Sequence, residues 1–273
     1  MARVQLPESR LRARKRRRRN AIVAVWAVLI LAIAGLVVGI AHLPHLRVVQ
    51  VEVAGVEGAE AKAVEKAVLT HLVGQQFVLF PRSNVLMYPR SAIVEDLLAE
   101  FSDFSNVQVR ATTLRALRVE VTKRTPKAVW CGVAEDRKEP CLLLDQKGVA
   151  YEMGAQFAEP VYTTYYGPLA AGSLPRQYTS EETFRSLVAL VAALEERQGT
   201  RIVSVVTDQA GDARVHFIGG FELIFALQDG GGDVFERFML ALGAEPFAGR
   251  SVGDFEYLDL RFGDRLYYKL KGE

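Results

Sequence analysis

Two cysteines, four histidines and a few acidic pairs are the side chains of this 273-residue chain best suited to chemistry. Cys131 and Cys141 flank the polar stretch Glu135-Asp136-Arg137-Lys138-Glu139-Pro140. If the flanking strands form a hairpin symmetric about Asp136, the two sulfurs face each other and a disulfide is within geometric reach. A pair of reduced, partly buried thiols fits the same spacing, and the sequence leaves both open. No Cys-x-x-Cys occurs, so neither a dithiol redox catalyst nor a zinc site is indicated. His42, His45, His71 and His216 share no metal-ligand spacing. Glu181-Glu182 lies at a helix start, where carboxylates favour the dipole, and Glu195-Glu196 at the same helix's end. Neither a Gly-x-Ser-x-Gly nor a Ser-x-x-Lys motif is present. Gly230-Gly231-Gly232-Asp233 stands between a strand and a helix, where amides can cradle phosphate. It lacks the Lys-Ser/Thr of a nucleotide loop and reads as a flexible turn. The chain therefore reads as a non-enzyme without metal, cofactor or small-molecule substrate.

What positions these residues starts with the membrane. Ala21 to Ala41 is an apolar run of 21 residues behind Arg14-Lys15-Arg16-Arg17-Arg18-Arg19. At about 1.5 Å per residue a helix of that length spans roughly 30 Å, the hydrocarbon thickness of a bilayer. Residues 1–20 carry nine basic side chains against one acid, net +8, leaving net −6 in the rest of a chain whose total is +2. The basic side chains thus belong to a tail and not to a nucleic-acid-binding face. They hold the helix start in the cytoplasm and send everything after Pro44 outside. A cleaved signal peptide would have a shorter apolar core ending in small residues; this run exits through His42-Leu43-Pro44-His45 instead. Gly35 and Gly39 form a weak Gly-x-x-x-Gly spacing for helix pairing.

Beyond the membrane the chain alternates in character. Val49, Val51 and Val53 interleave with Gln50 and Glu52, the period of a half-buried strand. Ala59 to Val73 has helical spacing, closed by Gly74, and Ser91 is placed to cap a second helix, Ala92 to Phe101. Strands are predicted over Asn106–Ala111 and Ala116–Lys123. After Lys123-Arg124-Thr125-Pro126, strands recur at Val129–Val133, Cys141–Asp145, Val149–Tyr151 and within Glu159–Tyr166. Ser180 caps a helix over Glu181–Arg197. Strands then follow at Ile202–Asp208, Ala213–Ile218 and Phe221–Leu227, with a helix at Val234–Leu242 capped by Asp233. Phe255–Phe262 and Arg265–Leu270 end the chain. The predicted class is α+β, with an antiparallel, sheet-dominated second half.

Several segments together resemble the FtsQ/DivIB cell-division proteins. They are the basic tail and membrane helix, Val51-Glu52-Val53-Ala54-Gly55, and the junction Arg118-Val119-Glu120-Val121-Thr122-Lys123-Arg124-Thr125-Pro126-Lys127-Ala128-Val129-Trp130. Leu143-Leu144-Asp145-Gln146-Lys147-Gly148-Val149 and Tyr257-Leu258-Asp259-Leu260-Arg261-Phe262 complete the set, in family order. The resemblance implies a basic cytoplasmic tail at 1–20, a transmembrane helix at 21–43, a POTRA domain of β-α-α-β-β order at 46–124 and an FtsQ-type β domain with flanking helices at 125–271. It further implies a single-pass scaffold of the septal machinery at the cell membrane, bound to FtsB- and FtsL-like partners.

The last strand alternates Leu266, Tyr268 and Leu270 with Arg265, Tyr267 and Lys269. If it ends its sheet, one edge keeps unpaired amides and carbonyls to which a partner strand can add. The resemblance implies that an FtsB-type partner docks there, which singles out Phe262, Tyr267, Tyr268 and Lys269, with Arg261 nearby. An internal Asp259–Arg261 pair is the plainer alternative. A POTRA-containing polypeptide-binding or transport factor of the envelope shares the first domain. It would continue into a many-stranded barrel, which the sequence lacks.

Overall fold

The computed structural model describes residues 10–76, 80–136, 140–154, 162–263 and 265–272, with side chains from Arg14 onward except at Gln76. It is α+β and falls into two compact units, Met1–Leu97 with Asn106–Val121, and Leu98–Ser105 with Thr122–Glu273.

The first unit opens with α1, Arg10–Ala41, which runs without a break from the basic cluster through the apolar run. Its stretch Arg14–Ala41 is long and apolar enough to cross a membrane, and most of its apolar side chains are exposed, with only its last residue, Ala41, buried against the rest of the unit. β1 is confined to Gln50–Ala54. The valine alternation starts two residues later than its sequence suggests: Val51 is buried, whereas Val49 is exposed and Val48 is buried in its place. The Val48 amide donates to Ser83 O at 2.8 Å, so this residue joins a neighbouring loop before the strand begins. α2, Gly58–His71, buries Val64 and Val68. β2, Gln75–Gln76, pairs with β3, Phe80–Pro81. α3, Arg90–Glu100, buries Ile93 and Leu97. It starts at Arg90, so Ser91 lies inside the first turn and is not its cap; the Ile93 amide reaches Pro89 O at 3.0 Å instead. Proline suits this boundary because its φ is already helical and it has no amide to leave unpaired. β4, Phe104–Ala111, and β5, Ala116–Lys123, complete a sheet ordered β1-β5-β4, with β1 parallel to β5. Phe77, within the irregular passage Gln75 to Tyr88, lies outside the described residues.

The second unit contains β6 (Ala128–Trp130), β7 (Leu142–Leu144), β8 (Val149–Met153), β9 (Thr164–Tyr166), β10 (Arg176–Gln177) and α4 (Glu181–Gln198). β11 (Ile202–Thr207), β12 (Asp212–Phe217), β13 (Glu222–Ala226), α5 (Gly231–Gly243), β14 (Phe255–Phe262) and β15 (Arg265–Leu270) follow. All twelve strands and helices serve one sheet of ten strands in the order β10-β8-β7-β6-β9-β11-β12-β13-β14-β15. That sheet is mixed, which corrects the antiparallel expectation. β6 and β9, β9 and β11, and β13 and β14 pair in parallel. Helical crossovers explain two of these pairs. α4 lies between β9 and β11, α5 between β13 and β14, and a helical connection returns the chain to run in its earlier direction.

The core lies between sheet and helices. Ser180 Oγ accepts the Thr183 amide at 3.1 Å and opens α4, which drives Phe184, Leu187, Leu190 and Leu194 into the sheet. α5 adds Val234 and Phe238. Asp233 does not cap α5; the helix begins two residues earlier, behind Gly230.

Candidate functional site

The C-terminal hairpin is where sequence and structure concentrate exposed aromatic side chains beside free backbone. β15 ends the ten-stranded sheet: β14 lies on one side, and no described strand covers the other. Antiparallel pairing sets Tyr267 against Asp259, Tyr268 against Leu258, Lys269 against Tyr257 and Arg265 against Phe262. Leu266 and Leu270 turn toward the core and anchor the strand. Phe262 is 51% exposed, Tyr267 49% and Tyr268 40%, large values for aromatic residues in a sheet. The Phe262 and Tyr267 rings meet edge to face at 4.9 Å, so the outer pair forms one preformed apolar step. Tyr268 stands edge-on to the buried Phe247 at 4.6 Å, which holds its ring while leaving its rim open.

Charged neighbours frame this step. Arg261 is engaged within the sheet: its guanidinium bonds both oxygens of Asp259, with Nη2 at 2.7 Å, and reaches Asp212 Oδ2 at 2.5 Å. The Asp259 carboxyl is buried, which alone would raise its pKa. Hydrogen bonds from the Arg261 side chain and amide, together with its charge, outweigh burial and leave that carboxyl below the usual range. Asp259 and Asp212 in turn hold Arg261 firmly protonated. The guanidinium carbon also lies 5.5 Å from the Phe262 ring centre, so the ion cluster backs the aromatic step. Lys269 pairs with Glu256 at 2.7 Å, which raises its pKa, and the ammonium stays in solvent.

The other singled-out residues lie elsewhere. Ala128 pairs with Leu144 and Trp130 with Leu142, a register symmetric about Asp136, and Cys131 and Cys141 are joined as a disulfide. Two of the motifs, around Asp145 and around Arg124–Trp130, form a turn and a junction. Asp145 Oδ1 accepts the Lys147 and Val149 amides at 2.8 and 3.0 Å, and its other oxygen holds Arg124. Gly148 sits at φ 73° against Phe184, whose Cγ would lie 2.7 Å from an added Cβ. Trp130 is buried and donates its indole N–H to Gly167 O at 2.9 Å.

A cleft of about 410 Å³ collects Glu135, Asp136, Asp208, Asp212, Arg214 and His216. Ser204, Glu135 and His216 meet beside it, yet not as a nucleophile–base relay. The Ser204 hydroxyl donates to Glu135, His216 Nδ1 lies 3.3 Å from the same carboxylate, and Nε2, 3.9 Å from Glu222, has no hydrogen-bond partner among the described residues. His71 pairs with Asp96 at 2.8 Å. Among the described residues no group of three His, Cys, Asp or Glu side chains is arranged to hold a metal ion.

Three contributors to the hairpin site escaped sequence reasoning: Phe247, Glu256 and Asp212. Phe247 lies in an irregular stretch without periodicity. Glu256 and Asp212 carry no signal until strand register sets them beside Lys269 and Arg261. No protein-family model matches the chain, and no characterised protein matches it in sequence.

Proposed function

We propose that the protein is a single-pass membrane scaffold of the bacterial division machinery, of the FtsQ/DivIB type. It recruits an extended segment of an FtsB- or FtsL-like partner by strand addition along β15. The observation that carries this reading is the end position of β15 combined with its exposed Phe262, Tyr267 and Tyr268. Free edge amides and carbonyls supply sequence-tolerant hydrogen bonds, and the aromatic step supplies area at low entropic cost. The POTRA assignment of the first unit, the cytoplasmic tail and the septal location belong to the same proposal. The tail's charge of +8 supports a cytoplasmic N-terminus. An adaptor of this kind needs no catalytic residue, and partner choice rests on edge geometry and side-chain fit.

Tyr267 and Lys269 carry the test. Lys269→Glu would set a carboxylate against Glu256 and disturb the hairpin itself, so Lys269→Ala is the cleaner substitution. Tyr267→Ala with Lys269→Ala is expected to weaken co-purification with the FtsB homologue by about tenfold or more while the melting temperature holds. Unchanged co-purification of a folded double variant would remove β15 as the docking edge.

A further inference from the structure

We propose that the end of the first unit nearest α1 is a membrane-seating surface, an apolar tip with a basic rim that rests in the bilayer's interfacial layer. The inference rests on α1 spanning the membrane. It concerns a surface separate from the β15 edge, and its partner is lipid.

Three segments converge where α1 ends. The Asn84 side-chain amide donates to Ala41 O, the last residue of α1, at 2.8 Å, and Asn84 is 1% exposed. The final carbonyls of a helix have no partner within it, and an unpaired one beside hydrocarbon is costly, so this bond caps α1 with the body of the unit. Val48 N to Ser83 O at 2.8 Å and Val85 N to Leu46 O at 2.9 Å fasten the same loop to the chain leaving the helix. Val49 N to Arg115 O at 2.9 Å brings the β4–β5 turn to the same place, because β1 and β5 are parallel and start together. The contact is therefore built from backbone and a buried amide.

What these segments present outward is unusual. Leu86 is 73% exposed, Leu114 58% and Leu43 47%. Arg47, Arg82 and Arg115 are exposed among them, and residues 42–49, 82–86 and 112–115 contain no acid. Depth decides what can cover them. The apolar run of 21 residues ends at Ala41, and at about 1.5 Å per residue it fills the ~30 Å hydrocarbon layer, which places the Ala41 carbonyl at its boundary. Leu86 follows Asn84 by two residues and donates its amide to Asn84 Oδ1 at 2.8 Å. Its Cα thus lies within about 8 Å of the capping residue's Cα. The headgroup layer is roughly 5–8 Å thick on each side. Leucines at that level enter the acyl boundary, and guanidinium groups meet anionic headgroups, as on an interfacial amphipathic element.

Full-length protein in vesicles containing phosphatidylglycerol provides the test. Both native cysteines are in the disulfide, so single sites can be labelled with an environment-sensitive fluorophore. Leu86→Cys and Leu114→Cys report the surface, Leu29→Cys the middle of α1, and Glu57→Cys an exposed site of the same unit beyond the far end of β1. Lipids carrying a quencher near the headgroup are expected to quench the Leu86 and Leu114 probes about twofold or more beyond the Glu57 probe. If those probes match Glu57 while Leu29 is quenched by a deep quencher, the seating surface is overturned and the span stands. If Leu29 is not quenched either, the spanning reading fails and this inference goes with it.

Discussion

At the residue scale, two carboxylate–arginine clusters of the second unit each centre on a buried aspartate, Asp145 and Asp259, and each makes its own prediction. Arg124 and Asp145 are 10% and 6% exposed at their side chains. Removing one partner of so buried a pair strands the other charge, which typically costs about 3–5 kcal/mol. Asp145→Ala also deletes the acceptor for two turn amides, whereas Asp145→Asn keeps an oxygen for them. Chemical denaturation should therefore rank wild type above Asn and Asn above Ala; equal stability of the two variants would separate the turn from the ion pair. Asp259 is the second case, with a folded-state pKa below the ordinary carboxylate value because Arg261 outweighs burial. A depressed pKa contributes stability above the unfolded value, near 3.9, and that contribution disappears as pH falls through the lower folded value. The stability gap between wild type and Asp259→Asn should accordingly be largest at neutral pH and shrink below about pH 4. A gap that stays constant from neutral to pH 2.5 would assign the effect of the substitution to packing.

At the element scale, the helices reveal where sequence patterns suffice and where packing takes over. α4 was legible from its Ser180 cap and its apolar spacing, since both lie within the segment. The start of α5 was not. Gly230-Gly231-Gly232 reads as a loose turn, but Gly231 is buried where α5 meets α4: its amide donates to Ser186 Oγ at 2.6 Å. A Cβ there would lie 2.6 Å from Ser186 O. Gly231→Ala must push the helices apart, so a loss of roughly 1–3 kcal/mol is expected by thermal unfolding. A neutral or stabilising result would mean that α5 shifts freely on α4. The same division runs through the sheet. Period-two alternation located β15, whereas β14 buries Leu258, Asp259 and Leu260 in a row and its register with β15 is interrupted, so its faces do not follow a simple alternation. Parallel pairing was hidden, because whether a strand returns beside its predecessor depends on helical crossovers that no local pattern encodes. The candidate site divides likewise. Tyr267 was readable from alternation, Tyr268 shares the face of Leu266 and Leu270 and was singled out only by the resemblance, and the Arg261 clasp needed the β12–β13–β14 register to bring Asp212 near.

At the scale of the whole molecule, with α1 spanning as proposed, charge and sulfur chemistry bear independently on which side of a membrane the folded units would occupy. The +8 tail resists translocation and predicts that residues after α1 emerge on the far side. The Cys131–Cys141 bridge predicts the same side by a different route, since disulfides persist in oxidising compartments and are rare in the cytosol. The two can be made to disagree. Replacing Arg14, Lys15, Arg16, Arg17, Arg18 and Arg19 with Gln removes most of the positive bias and should send a fraction of chains in with inverted orientation. In those chains the units remain in the cytoplasm, protected from added protease, with both thiols free. Alkylation of intact cells followed by protease treatment of spheroplasts reads both properties in one sample. The expected result is that wild-type chains are protease-sensitive and unalkylated, and that in the variant the protected and alkylated fractions rise together. Protected chains that keep the disulfide would break the link between bridge and compartment. Wild-type chains that are protected from the start would reverse the orientation and leave β15 facing the cytoplasm, out of reach of an extracytoplasmic partner.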